Sequence, residues 1–224
     1  MISDNLRKVQ QEIQDSCALV SRSSSEVTLV GVTKSVDLKQ TIELAKQGVV
    51  HLAENRTDQF LAKKEKMRAF TNVSWHFIGN LQRRKVKTVI NEIDFFHALD
   101  SLKLANEIQK RAEKTIYCFV EVNVSGEASK QGVAKEELGD FIEQLASYDK
   151  IKIVGLMTMA PLHSTKTEQH EIFYKLKKMQ ETIKAKNLSF APCTQTSMGM
   201  SNDFSIAIQE GATLIRVGTA LFED

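Results

Sequence analysis

Along this chain, short apolar runs alternate with longer segments in which apolar residues recur every three or four positions. The short runs read as strands at 27–33, 49–53, 73–78, 94–98, 115–124, 151–157, 190–197 and 213–217. The segments between them read as helices near 37–47, 56–69, 82–91, 101–113, 135–147, 166–186 and 202–210. A further helix is predicted ahead of the first strand, over 4–20, with Leu6, Val9, Ile13, Cys17 and Val20 on one face. TLVGV, IYCFVEV and IKIVGLM are nearly continuous apolar runs, which suits parallel strands buried on both faces. Eight strand–helix steps in 224 residues predict a (β/α)8 TIM barrel with an extra N-terminal helix. The alternative is an open doubly wound sheet, which would more naturally carry a glycine-rich first turn. Here that turn reads VTKSVD, and neither G-x-G-x-x-G nor a Walker sequence occurs.

Composition narrows the picture. With 42% apolar residues, 2 Pro and no Pro/Ser/Gly-rich linker, residues 1–224 are expected to form a single domain. The formal charge of +2, from 30 basic and 28 acidic residues, exerts no overall pull towards nucleic acid. The basic clusters KKEKMR (63–68) and RRKVK (83–87) read as solvated helix faces, with acidic neighbours and no interleaved aromatics. Cys17, Cys118 and Cys193 are far apart and form no CxxC pair, so neither a zinc site nor a disulfide framework is expected. The polar amphipathic N-terminus lacks the apolar core of a signal peptide, and no run approaches the roughly 18 apolar residues of a membrane span. The expectation is a cytoplasmic monomer without membrane or nucleic-acid partners.

Barrel chemistry occupies the C-terminal ends of strands and the loops that follow them. Strand 1 ends at Lys34, where an amine at the end of an apolar run is either solvated or used. Strand 2 leads into Glu54 and Asn55, strand 3 carries His76 and ends near Gly79, and strand 6 ends in GLMTMAP. Strand 7 runs into SMGMS, from Ser197 to Ser201, and strand 8 into RVGT, from Arg216 to Thr219. The loops after strands 7 and 8 are a common phosphate site in barrels. Helix capping accounts for Ser201 or Asp203, but not for the Ser-Met-Gly and Gly-Thr pairs. Because strand 8 closes onto strand 1, Lys34 and this cradle lie on adjacent sides of the barrel. A lysine for a Schiff base, an anion cradle, and an arginine for a pyridine nitrogen together specify pyridoxal 5′-phosphate (PLP). Burial beside other cations is expected to keep the Lys34 amine neutral, and a guanidinium at the pyridine nitrogen makes the cofactor a weaker electron sink.

VGVTKSV, LAEN, WHFIGNLQ, GLMTMAP and SMGMSNDFSIAIQEGATLIRVGTALF resemble the pyridoxal phosphate homeostasis protein family, from about residue 4 to the C-terminus. That family consists of single-domain relatives of the N-terminal, fold-type-III barrel of alanine racemase. The resemblance implies that Lys34 forms the internal aldimine and that Asn55 lies near the cofactor. By the same resemblance, Ser197, Gly218 and Thr219 bind phosphate with backbone from Met198 and Gly199, and Arg216 faces the pyridine nitrogen. His76 and Met157 fall in motifs at the barrel mouth, His76 reading equally well as a satisfied core histidine. The family's G-E-N-Y reads AENR here, and RRK follows IGNLQ, which puts rim contacts in doubt but not the lysine. Lys130, in SKQG, reads as a loop lysine or as a second amine for cofactor transfer.

Alanine racemase pairs its lysine with a tyrosine from a second domain. The sequence stops at Asp224, so no such domain is expected, and Tyr117, Tyr148 and Tyr174 do not fall at strand C-termini. The implied function is a non-catalytic PLP carrier that stores, buffers or delivers the cofactor to PLP-dependent apoenzymes. The alternatives are a fold-type-III racemase, decarboxylase or lyase of low activity, and a barrel for another phosphorylated metabolite.

Overall fold

A computed structural model describes residues 1–127 and 131–223. Nine strands are described: β1 (Thr28–Val32), β2 (His51–Glu54), β3 (Ser74–Phe77), β4 (Phe95–Leu99), β5 (Ile116–Asn123), β6 (Val133–Ala134), β7 (Ile151–Met157), β8 (Gln195–Ser197) and β9 (Leu214–Val217). They pair in parallel in the order β4-β3-β2-β1-β9-β8-β7-β5, and a β4–β5 pairing closes the ring. Eight strands therefore form the closed barrel, and the short β6 only extends β5 outside it. Closure settles the choice between barrel and open sheet. The strand-lining apolar residues, among them Val30, Leu52, Phe96, Phe119, Ile153 and Ile215, are buried.

Helices α1 (Ile2–Ala18), α2 (Leu38–Lys46), α3 (Thr57–Lys66), α4 (Arg83–Val89), α5 (Leu102–Arg111), α6 (Leu138–Gln144), α7 (Lys166–Ala185), α8 (Phe204–Gln209) and α9 (Thr219–Phe222) surround it. The leading helix ends at Ala18, so Val20 is exposed while Leu6, Val9, Ile13 and Cys17 are buried. Asn5 Nδ2 on α1 donates to Glu223 O at 2.9 Å, tying the two ends of the chain together. Asp37 caps α2, accepting from Gln40 N at 2.8 Å. Among the described residues, no helix is long and apolar enough to cross a membrane.

One strand is shorter than its apolar run predicts. Only Gln195–Ser197 of 190–197 is strand, because Pro192 has no N–H to give and Cys193 turns to φ 45°. Phe190 O and Cys193 N still bond Ile153 on β7, at 2.9 and 3.1 Å, so the segment lies against the barrel without joining its ladder.

All three cysteines are free and buried. Burial pushes the Cys193 thiol up to about 12 and raises that of Cys118 further. No thiol is expected to react with an aromatic disulfide reagent until the protein is unfolded in urea. Prompt labelling of the native protein would contradict this placement.

Candidate functional site

The loops at the C-terminal end of the barrel surround a cavity of about 420 Å³. Its lining includes Lys34, Asn55, Gly79, Glu121, Met157, Ser201, Asp203, Arg216, Gly218 and Thr219. Of the residues singled out in the sequence, Lys34, Asn55, Met157, Arg216, Gly218 and Thr219 thus come together. His76, Ser197, Met198 and Gly199 do not line it. Lys130 lies outside the described residues.

Lys34 stands in the turn after β1. The strand stops at Val32, Thr33 is buried against α3, and Lys34 is exposed at the cavity wall. The buried amine expected from the sequence is therefore not found. The turn itself is held from below. Lys63 Nζ on α3 donates to Thr33 O (2.6 Å), Val36 O (2.8 Å) and Glu54 Oε1 (2.6 Å), and Thr33 Oγ1 donates to the same carboxylate oxygen at 2.6 Å. Glu54 and Lys63 are both buried. KKEKMR is thus not wholly a solvated face: its first lysine is an internal clamp on the two carbonyls that flank Lys34. Phe60, Lys63 and Met67, all buried at positions i, i+3 and i+7, carried that signal in the sequence.

Arg216, on β9, points into the barrel and forms part of the cavity lining. Its Nη1 donates to Ser197 Oγ at 2.5 Å and its Nη2 to Thr158 O at 3.1 Å. Burial pulls the guanidinium down to about 10, against the opposing pull of Asp203 and Glu121, so it remains a cation at neutral pH. Glu121, on β5, is the converse case. Burial raises its carboxyl to about 7, with Asp100 adding to the effect and Arg216 opposing it.

The serines of SMGMS divide their work. Ser197 ends β8 below the cavity, where it accepts from Arg216. Gly199, at φ 93°, reverses the chain against α8, where a Cβ would stand 2.6 Å from Ala207 Cβ. This glycine serves close packing against α8. Ser201 then reaches the cavity, and its Oγ accepts from Gly218 N and Ala220 N, both at 3.2 Å. Asp203 Oδ1 accepts from Met200 N at 2.6 Å, bracing the same loop. Sequence reasoning missed Ser201, Glu121, Lys63 and Thr158. Ser201 lies in plain view in SMGMS, where helix capping accounts for it or for Asp203.

This donor set fits a phosphorylated aldehyde. Lys34 offers a primary amine, Arg216 a fixed cation, and Ser201 and Thr219 two hydroxyls in a corner whose Gly218 and Ala220 amides are gathered on Ser201 Oγ. Residues 4–224 match the model of the alanine racemase N-terminal domain. The chain is 36% identical over 222 residues to the pyridoxal phosphate homeostasis protein of Aquifex aeolicus, covering 98% of this chain and 96% of that one. It is 32% identical to the protein of that name from Pseudomonas aeruginosa, covering 99% and 94%. Among solved structures, PipY of Synechococcus elongatus with PLP bound superposes at a TM-score of 0.85, with 27% identity and full coverage of both chains. Alanine racemase of Corynebacterium glutamicum shares the fold at a TM-score of 0.73 and 14% identity, covering 99% of this chain and 59% of that one. A barrel of this topology, matched over nearly its whole length, belongs to the pyridoxal phosphate homeostasis protein family, built on the alanine racemase N-terminal domain.

Proposed function

We propose that this chain binds PLP in the cavity at the C-terminal end of its barrel and serves PLP homeostasis, holding the cofactor through Lys34 and releasing it to apoenzymes. The observation that carries this reading is the meeting of Lys34, Arg216 and the Ser201–Gly218–Thr219 corner in one cavity. Bound there, PLP supplies an aldehyde that a primary amine holds reversibly. Lys34 is the amine in reach, on a turn that Lys63 fixes by two hydrogen bonds. Arg216 presents a guanidinium to the ring end of the ligand, and its charge disfavours a proton on a facing ring nitrogen. Ser201, Thr219 and Gly218 bind the phosphate. Ser197, Met198 and Gly199 act from beneath, as the support of Arg216 and of the loop.

The protein is proposed to act as a cytosolic monomer and as a carrier more than as a catalyst. Among the described residues of the cavity lining there is no tyrosine, histidine or cysteine to take a proton opposite Lys34. The competing reading, an amino-acid racemase or lyase, would rest on Glu121, whose carboxyl titrates near neutrality inside the cavity.

Purified protein is expected to show a yellow absorbance band that borohydride bleaches, with the added mass on the Lys34 peptide. In Lys34→Ala the trapped adduct is expected to vanish while the fold persists, because the side chain is exposed. An unchanged adduct in that variant removes Lys34 from the role. Exchange of amino-acid α-protons in deuterated water, lost in Glu121→Gln, would favour the enzyme.

A further inference from the structure

Beneath the cavity, His51, His76 and His97 form a column through the barrel. They lie on the consecutive strands β2, β3 and β4. Ala53 pairs with His76, and His76 with Phe95, so each histidine stands two residues further along its strand than the one before. They share the inward face and climb towards the cavity. His51 Nδ1 is 3.0 Å from His76 Nε2, His76 Nδ1 is 2.8 Å from His97 Nε2, and His97 Nδ1 is 2.8 Å from Ser197 Oγ. The last link, Arg216 Nη1 to Ser197 Oγ, is 2.5 Å. His76, His97 and Ser197 are fully buried. His76 is stacked on Phe95 and His97 on Phe119, each pair with ring centroids 4.4 Å apart, which restrains both rings. At the far end, His51 is half-buried and lines a second cavity of about 450 Å³ with Gln10, Gln14 and Ser24 of the opposite barrel face.

The chain has a direction. A guanidinium only donates, so Ser197 Oγ accepts from Arg216, and of the two partners of this hydroxyl only His97 Nδ1 can take its own hydrogen. Burial holds the two inner histidines well below the usual range, so each is neutral with one N–H. With a lone pair on Nδ1, His97 carries its hydrogen on Nε2 and donates to His76 Nδ1. The same step places the His76 hydrogen on Nε2, donating to His51 Nδ1. Every hydrogen points away from the cavity.

We propose that Ser197, His97, His76 and His51 form a one-way hydrogen-bond wire that positions Arg216 and ties it to the state of His51 on the opposite face. A group that can only donate, placed against His76 Nε2, reverses the wire. His76 and His97 then carry their hydrogens on Nδ1, and Ser197 accepts from both His97 and Arg216. Each ring keeps one hydrogen, so the proton count is unchanged.

The test is the histidine tautomer read by 15N NMR on the purified chain, which does not depend on bound PLP. The wild-type protein is expected to show Nε2–H at positions 76 and 97. His51→Gln, whose amide oxygen can accept, is expected to leave both unchanged. His51→Lys, a donor in its ammonium form, is expected to move both to Nδ1–H. Ser197→Ala works from the other end and is expected to release His97 from a single tautomer. The wire is overturned by Nδ1–H at either inner histidine of the wild-type protein. It is also overturned if His97 keeps its tautomer in folded His51→Lys or in Ser197→Ala, as inert core packing requires.

Discussion

Lys63→Met is expected to destabilise the fold by about 3–5 kcal/mol, because it leaves the buried Glu54 carboxylate without its cation. The same change strips the donor from Thr33 O and Val36 O, the carbonyls on either side of Lys34. Two consequences are therefore bound together, and a second variant separates them. In Glu54→Leu/Lys63→Met no charge is stranded, and Thr33 Oγ1 retains Ala53 O as an acceptor at 3.3 Å. Stability is expected to return to within about 1–2 kcal/mol of the wild type. The turn still lacks its clamp, so trapping of PLP on Lys34 by borohydride is expected to stay roughly tenfold slower. Urea unfolding reads the first effect and the trapping rate reads the second. If the double variant recovers both, Lys63 matters only as the partner of Glu54. If the single variant unfolds at the wild-type midpoint, the buried pair does not carry the stability assigned to it.

The barrel was legible because a parallel strand buried on both faces leaves an unbroken apolar run, and eight such runs separated by amphipathic helices admit few folds. Arg216, Gly218 and Thr219 could be read for the same reason: they stand at a strand end, where barrels place chemistry. What could not be read depends on pairing across the sheet. Each of His51, His76 and His97 looks like an isolated core histidine until the β2–β3 and β3–β4 registers bring their rings together. Ser197 and Ser201 are four residues apart in one motif, and only the reversal at Gly199 decides which reaches the cavity. Lys34 is exposed rather than buried for a local reason. The apolar run predicts a strand that carries the lysine inward, but β1 ends at Val32, Thr33 turns against Glu54 and against Lys63 of α3, and Lys34 emerges at the rim. The charged neighbours of Lys63 hide its burial, which only its helical phase with Phe60 and Met67 reveals.

Gly79→Ala is expected to disturb the cavity rim most directly. Gly79 follows β3, and a Cβ there would lie 2.2 Å from Asn55 O and 2.9 Å from Asn55 C and Cα, in the loop after β2. These are backbone atoms, so no side-chain rotation relieves the contact and the two loops must part. Overpacking of this kind costs about 1–3 kcal/mol, which in a chain of this length lowers the melting temperature by roughly 3–10 °C. Asn55 lines the cavity, so PLP retention is expected to weaken in the same variant. Gly139 supplies the control. It lies in α6, where a Cβ would meet nothing within 4 Å, and Gly139→Ala is expected to raise stability by up to about 1 kcal/mol through helix propensity alone. Equal melting temperatures for Gly79→Ala and the wild type would show that the two loops are not pressed together as described. A loss of stability without a loss of PLP would show that Asn55 is rim packing and not part of the binding surface.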